Sequence, residues 1–300
     1  MLSLHTNAAS LSAQNSVSST QNKLSTSMTR LSTGFRINSA ADDAAGLQIA
    51  TRLKSQTSGM AVAMRNTQNS VSMLQTAEGA LNETGNILVR MKDLATQSAD
   101  ASSSEDDQTA MQAEYDSLAD ELTNIMKNTK FGGTALLNAD TGKLDTAAIK
   151  FQIGADKAEV MTADFSGEMT TMHAKLTLTS GRYAGGTAAA VTTAGTDVSG
   201  TTDAVGATNA NATIDELSQA IDSVSALRSK IGATSNRLNP VYNNLSNIST
   251  NTQAATGRIL DVDFATESAK MTSSQMLMQA GTAMLKQTNQ MSSMVMSLLQ

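Results

Sequence analysis

The stretch MLMQAGTAMLKQTNQMSSMVMSLL, residues 276–299, places apolar side chains at Leu277/Met278, Met284/Leu285, Met291 and Leu298/Leu299 at heptad intervals, with Val295 half a heptad along one of them. A seven-residue period holds one helix face against a partner helix, the pattern of a coiled-coil seam. The other end of the chain repeats it. Leu4 and Leu11 are one heptad apart, and after a one-residue shift Val17, Leu24 and Leu31 continue the series, with Met28 and Phe35 at the alternate position. Both termini therefore call for a helical partner.

Further in, the doublets Met73/Leu74, Ala80/Leu81, Ile87/Leu88 and Leu94/Ala95 make a third stripe of the same period, and Ile214, Leu217, Ile221, Val224, Leu227 and Ile231 a weaker fourth. These inner stripes are read as core within the chain. The 277–299 stripe is read as a contact between chains, with private packing as its plain competitor. Its seven methionines, at 271, 276, 278, 284, 291, 294 and 296, are adaptable apolar fillers and not a metal box.

Aromatic residues are only 3% of the 300 and Trp is absent, so a thick globular interior is undersupplied, while the 40% apolar fraction argues against wholesale disorder. Narrow helix seams suit this composition. A net charge of −6 without a Lys/Arg cluster gives no attraction for nucleic acid or anionic lipid, and no apolar run is long enough to span a bilayer. Cysteine is absent, which removes disulfides and thiolate metal sites. The start, MLSLHTNAAS, has neither the basic nor the apolar region of a cleavable signal peptide, and that rule alone would place the chain in the cytosol.

Along the chain, a first helix is expected from about residue 3 to 33, stopped by Gly34. In RINSAADDAAG, Asn38 and Ser39 are candidate caps, with Asp42 and Asp43 in the first turn of a second helix reaching to about residue 98, on the order of 80 Å long. Ser104 and the acids after it open a third helix to about 129. Ile149, Phe151 and Ile153 alternate with Lys150 and Gln152 and lead through GADKA to EVMTADF, a β-hairpin. Residues 180–213 are low-complexity Gly, Ala and Thr, either a surface loop or a small β excursion. Thr213 and Glu216 form a capping-box pattern for a helix to about 256, in which Pro240 should impose a kink or break near Asn239. A last helix starts near residues 261–263.

Two blocks carry a family resemblance: LSTGFRINSAADDAAGLQIATRL, residues 31–53, and RILDVDFATESAKMTSSQMLMQAGTAMLKQTNQMSSMVMSLLQ, residues 258–300. They resemble the N- and C-terminal signatures of bacterial flagellins, in the right order and at opposite ends. FQIGADKAEV resembles the family's inner hairpin, and GNILVRMKDLATQSA its long rod helix. The resemblance implies a mainly α fold: a coiled-coil-like helical rod from paired terminal segments, with a small β-hairpin region and a short variable insertion. Residues 1–42 and 258–300 would form a terminal coiled-coil domain, 43–175 and 213–257 the rod with its hairpin, and 176–212 the insertion, reduced as in lateral flagellins. The implied activity is self-assembly into the filament of the bacterial flagellum, for motility. The implied partners are further copies, an export chaperone on the C-terminal helix, and hook-associated and cap proteins. Export would follow the flagellar type III route, without a cleaved signal, which puts the product outside the cell.

The resemblance also places Leu88, Arg90, Leu94, Gln97 and Glu114 where many flagellins are recognised by Toll-like receptor 5, although Val89 replaces the polar residue usual beside that arginine. From the residues alone, Arg90 with Asp93 or Glu114 is an ordinary solvated pair. Enzyme readings fail on inventory. There is no HExxH, the glycine pair 132–133 lacks the Lys-Ser/Thr of a phosphate loop, and Asp42/Asp43, residues 105–107 and Asp261/Asp263 all read as helix caps. No catalytic, metal or cofactor site is expected, and His5 and His173 have no identifiable partners. Two other readings are a hook–filament junction protein, which would not grow long fibres alone, and a secreted coiled-coil effector or adhesin, which would stop at a defined oligomer.

Overall fold

The computed structural model describes residues 7–185 and 195–298, with side chains up to residue 290. The chain divides into two compact units, Met1–Thr57 with Ser249–Gln300, and Ser58–Ile248. Six helices and four short strands make up the described fold: α1 Ala8–Thr33, α2 Ala44–Ser98, α3 Glu105–Asn128, α4 Ser166–Thr179, α5 Asp203–Leu260 and α6 Phe264–Leu298, with β1 Lys130–Phe131, β2 Thr134–Ala135, β3 Ile149–Gln152 and β4 Val160–Ala163. The fold is mainly α, as the sequence patterns imply, and its small β region holds the expected β3–β4 hairpin and a second, two-residue strand pair, β1–β2.

In the first unit, α1 is capped by Asn7, whose side-chain oxygen accepts from the Ser10 amide at 3.1 Å. It ends where Gly34 takes φ +75, a left-handed conformation that a Cβ would disfavour, and the Gly34 amide donates to the Arg30 carbonyl. The chain then forms a one-residue bridge, Phe35 with Asp261, flanked by hydrogen bonds from the Arg36 amide to the Leu260 carbonyl and from the Val262 amide to the Gly34 carbonyl. Asn38 and Ser39 do not cap α2. Their amides donate to the Asp42 carboxylate to close a turn, and Asp43 caps the helix by accepting from the Gly46 amide. α6 starts on Asp263, which accepts from the Ala265 and Thr266 amides.

The second unit has a closed interior. Leu74, Ala77, Leu81, Leu88, Met91 and Ala95 on α2 are buried at helical spacing. They join one cluster with Tyr115, Ala119, Leu122 and Met126 of α3 and Leu217, Val224, Leu227 and Ile231 of α5. Ser104 and Asp107 complete a reciprocal capping box on α3, as the acidic run suggests. The β3–β4 hairpin pairs Ile149 with Ala163 and Phe151 with Met161, turning Ile149 and Phe151 inward.

One helix was not anticipated, and two expectations need correction. Residues 166–179 form α4, whose Met169, Met172 and Leu176 are buried at 3- and 4-residue spacing; that signal is short and lies among threonines. α5 begins at Asp203, ten residues before the Thr213 capping pattern, because tertiary contacts hold its first turns: Gln108 donates to the Asp203 carbonyl, and Asn209 to the Thr196 and Ser199 carbonyls. Thr213 is buried mid-helix and donates to the Asp197 carbonyl at 2.7 Å. Pro240 does not break α5. It lies on the exposed side, where water can satisfy the carbonyl left without its helical partner, while Leu238 is fully buried two residues earlier.

Candidate assembly surface

α1 and α6 run antiparallel. Asn7 bonds the Thr288 carbonyl, Ser10 bonds Asn289, Ser27 bonds Glu267, and a Cβ on Gly281 would come within 2.6 Å of Val17 Cγ2. This register shows what each terminal stripe does. Half-buried Val17, Leu24 and Leu31 of α1 and Met271, Met278 and Leu285 of α6 occupy the inner side of the pair. Between them, at the alternating 3- and 4-residue steps of a coiled coil, fall small or polar residues: Ala13, Thr20 and Ser27 on α1, and Glu267, Ser274, Gly281 and Thr288 on α6. The doublets divide. Met278 and Leu285 turn toward α1, while their neighbours Leu277 and Met284 stay 59% and 60% exposed, as do Leu11 at 52%, Met28 and Met276. Leu4 and Leu299 lie outside the described residues, and the side chains of Met291, Val295 and Leu298 are likewise outside them.

A polar cluster fixes this register, and nothing in the sequence patterns singled it out. The Ser27 hydroxyl donates to Glu267 Oε1 at 2.6 Å, Arg30 stands 3.9 Å from the same carboxylate and 3.8 Å from Asp42, and Lys270 donates from 3.4 Å. Glu267 is only 4% exposed. The Ser27 hydroxyl, then Lys270 and Arg30, hold its carboxyl below the usual range and keep it ionised despite burial. The usable signal was positional: Ser27 and Glu267 sit in the same phase as the small residues of each stripe.

The five residues of the receptor resemblance are not a single face. Leu88 and Leu94 are 0% and 2% exposed and belong to the core, as their membership of the third stripe foretold. Arg90, Gln97 and Glu114 are exposed, and Arg90 donates twice to Glu114 Oε1, at 2.9 and 2.7 Å. His173 is buried against Tyr183, its Nδ1 2.6 Å from the phenol oxygen, and burial pushes the imidazole pKa down. His5 lies outside the described residues.

A second polar network ties residues 195–203 to α3. The Gln112 side chain accepts from the Val198 amide and donates to Asp116, Asp116 accepts from the Gly195 amide, and Arg182 pairs with Asp120 at 2.6 Å and Asp116 at 3.7 Å. Asp197 accepts from Gln112 and Ser180; burial, and then the nearby Asp116 charge, push its carboxyl up.

The described side chains gather for packing, in one unit of paired terminal helices and in a second helical unit with its own core. Residues 4–141 match the family model of the bacterial flagellin N-terminal helical region, and residues 214–299 that of the C-terminal helical region. The chain belongs to the bacterial flagellin family, and it is a structural, non-enzymatic subunit of the extracellular flagellar filament. It is 38% identical to a flagellin of Halalkalibacterium halodurans, covering 89% of this chain and 88% of that one. Polar flagellin F of Vibrio parahaemolyticus is 35% identical, with 99% of both chains covered. A solved structure described as a flagellar hook-associated protein from Vibrio parahaemolyticus matches 73% of this chain and all of its own, at a TM-score of 0.54 and 14% identity; that likeness concerns the fold alone.

Proposed function

We propose that the filament is built through the outer side of the α1/α6 pair, with Leu11, Met28, Met276, Leu277 and Met284 covered by neighbouring copies. The observation that carries this reading is the split of the doublets. Each large apolar side chain left in water forgoes roughly 1.5–3 kcal/mol that burial would supply. Leu4, Met291, Val295, Leu298 and Leu299 continue the same stripes and are assigned the same role. A contact between different patches of identical copies does not close on itself and grows an open helical fibre.

On this reading residues 1–42 and 258–300 form the inner tube of the filament, 43–175 and 213–257 its rod, and 176–212 a short variable surface. The methionine-rich side of α6 also suits an export chaperone, since unbranched thioethers adapt to more than one partner. Export runs by the flagellar type III route without a cleaved signal, and hook-associated and cap proteins meet the two filament ends. Removing residues 261–300 should leave a soluble chain that sediments as a monomer under conditions in which the full chain forms fibres. Fibres from the truncated chain would reject the assignment.

Recognition by Toll-like receptor 5 is proposed for the exposed set Arg90, Gln97 and Glu114, with Leu88 and Leu94 supporting it from below. An Arg90→Ala, Gln97→Ala double variant should give a weaker receptor reporter response than the parent chain; equal responses would remove this face from consideration.

A further inference from the structure

The chain holds no cysteine and no tryptophan, so its most readily oxidised groups are the sulfurs of its 18 methionines. The fold sorts them. Within residues 58–248 every methionine is buried, apart from half-buried Met64. In the unit of paired terminal helices Met271 and Met278 are half-buried, while Met28, Met276 and Met284 stand 53%, 60% and 60% exposed. Among the described side chains these three are the only exposed methionines.

Met276 and Met284 lie on α6, about 12 Å apart along its axis, and Met28 on α1 adjoins Ser27, whose hydroxyl bonds Glu267 of α6. All three belong to the apolar surface that the α1/α6 pair leaves in water, together with Leu11 and Leu277. A mild oxidant leaves the two leucines unchanged. It converts a thioether into a polar group.

We propose that Met28, Met276 and Met284 form an oxidation site, at which a peroxide acting on the unassembled chain withdraws it from filament growth. The proposal rests on the filament reading above and adds a chemical control to that surface. The thioether sulfur attacks one peroxide oxygen: an S–O bond forms, the O–O bond breaks, sulfur gives up two electrons, and the second oxygen leaves as water. The sulfoxide oxygen is a strong hydrogen-bond acceptor, and covering it with the apolar side chains of another copy removes its water without supplying a donor. In the single chain all three side chains already lie in water, so the fold itself tolerates the change. Assembly reverses the exposure. Sulfurs covered by neighbouring copies are out of reach, which confines the sensitive state to the free chain. A dithiol-driven sulfoxide reductase restores the thioether, releasing water and a disulfide.

The test treats the full-length chain with dilute hydrogen peroxide, reading sulfoxide at each methionine by peptide mass spectrometry, melting by circular dichroism and the critical concentration for fibre growth by sedimentation. Met28, Met276 and Met284 should react at least about tenfold faster than the methionines of residues 58–248. The treated chain should melt as before while its critical concentration rises about tenfold, and methionine sulfoxide reductases with dithiothreitol should bring it back. The same dose given to grown fibres should leave the three residues unmodified. Met28→Leu with Met276→Leu and Met284→Leu keeps apolar volume, so this variant should grow like the parent both before and after peroxide. Equal oxidation across the chain, unchanged growth of the treated parent, or lost growth of the treated variant each overturns the proposal. Failure of the untreated parent to form fibres is a different result: it sinks the filament reading, and the control of growth with it.

Discussion

In the body of the molecule the buried positions of α2 and α5 are mostly leucine, methionine, alanine, valine and isoleucine, whereas those described on α1 and α6 are Ser27, Glu267 and Ser274. The two regions have similar apolar stripes in sequence but spend them differently. The body turns its stripes inward and closes one large cluster, with a smaller one at Met60, Ala63 and Leu245, on which its stability rests. The terminal pair fixes its register with a buried carboxylate and leaves much of its large apolar surface outside. Side chains satisfied within the chain stabilise the monomer; side chains left in water stabilise whatever covers them.

That contrast can be broken by substitution. The largest effect is expected for Leu277→Asp with Met284→Asp: the critical concentration for fibre growth should rise at least about a hundredfold, from roughly 1.5–3 kcal/mol lost per side chain. The melting curve of the monomer should barely move, and a large fall in its midpoint would show that both residues pack privately. Leu88→Ala should do the reverse. Deleting a fully buried leucine costs about 3 kcal/mol, to be read as a shift in the denaturant midpoint of the body with seam contacts intact.

A smaller effect is expected at the polar cluster. Glu267→Gln should weaken the α1/α6 pair by about 1 kcal/mol, seen as faster amide exchange in both helices, since Ser27 keeps an acceptor while Arg30 and Lys270 lose a counter-charge. The folded Glu267 pKa is lowered, so its contribution is complete above the unfolded value of about 4.5 and is lost as pH falls through and below it. Exchange rates of the parent and the Gln variant should therefore converge in acid, and a constant difference from pH 7 to 3 would contradict the role given to the carboxylate. The smallest effect falls at Asp197. Its pKa is raised, so it favours the fold while protonated and the benefit disappears as pH rises through its folded value. Asp197→Asn should accordingly raise the melting midpoint at pH 7 by about 2 °C, with no gain in mild acid.

Much of the architecture could be read directly. Seven-residue stripes, the Gly34 stop, the Ser104 cap with its acidic first turn and the alternation at residues 149–153 each depend on neighbours in sequence, and each appears in place. Where distant residues intervene, local signals mislead. The Thr213 pattern was overridden by bonds from Gln108 and Asn209 that extend α5 backward, and the cost of Pro240 was absorbed on a hydrated face. Leu88 and Leu94 show a different lesson: resemblance set them beside Arg90 on a surface, while their own periodicity already placed them inside.

The sequence by itself determined that this chain is helical and that its ends must pair, because periodicity and capping are written in nearby residues, and the blocks at residues 31–53 and 258–300 carried its resemblance to the flagellins. Only the tertiary structure decided which member of each doublet faces its own partner helix. A heptad fixes the spacing of a stripe but not its rotation about the helix axis. Here that rotation is set by contacts between opposite ends of the chain: Glu267 against Ser27 and Arg30, and Gly281 against Val17.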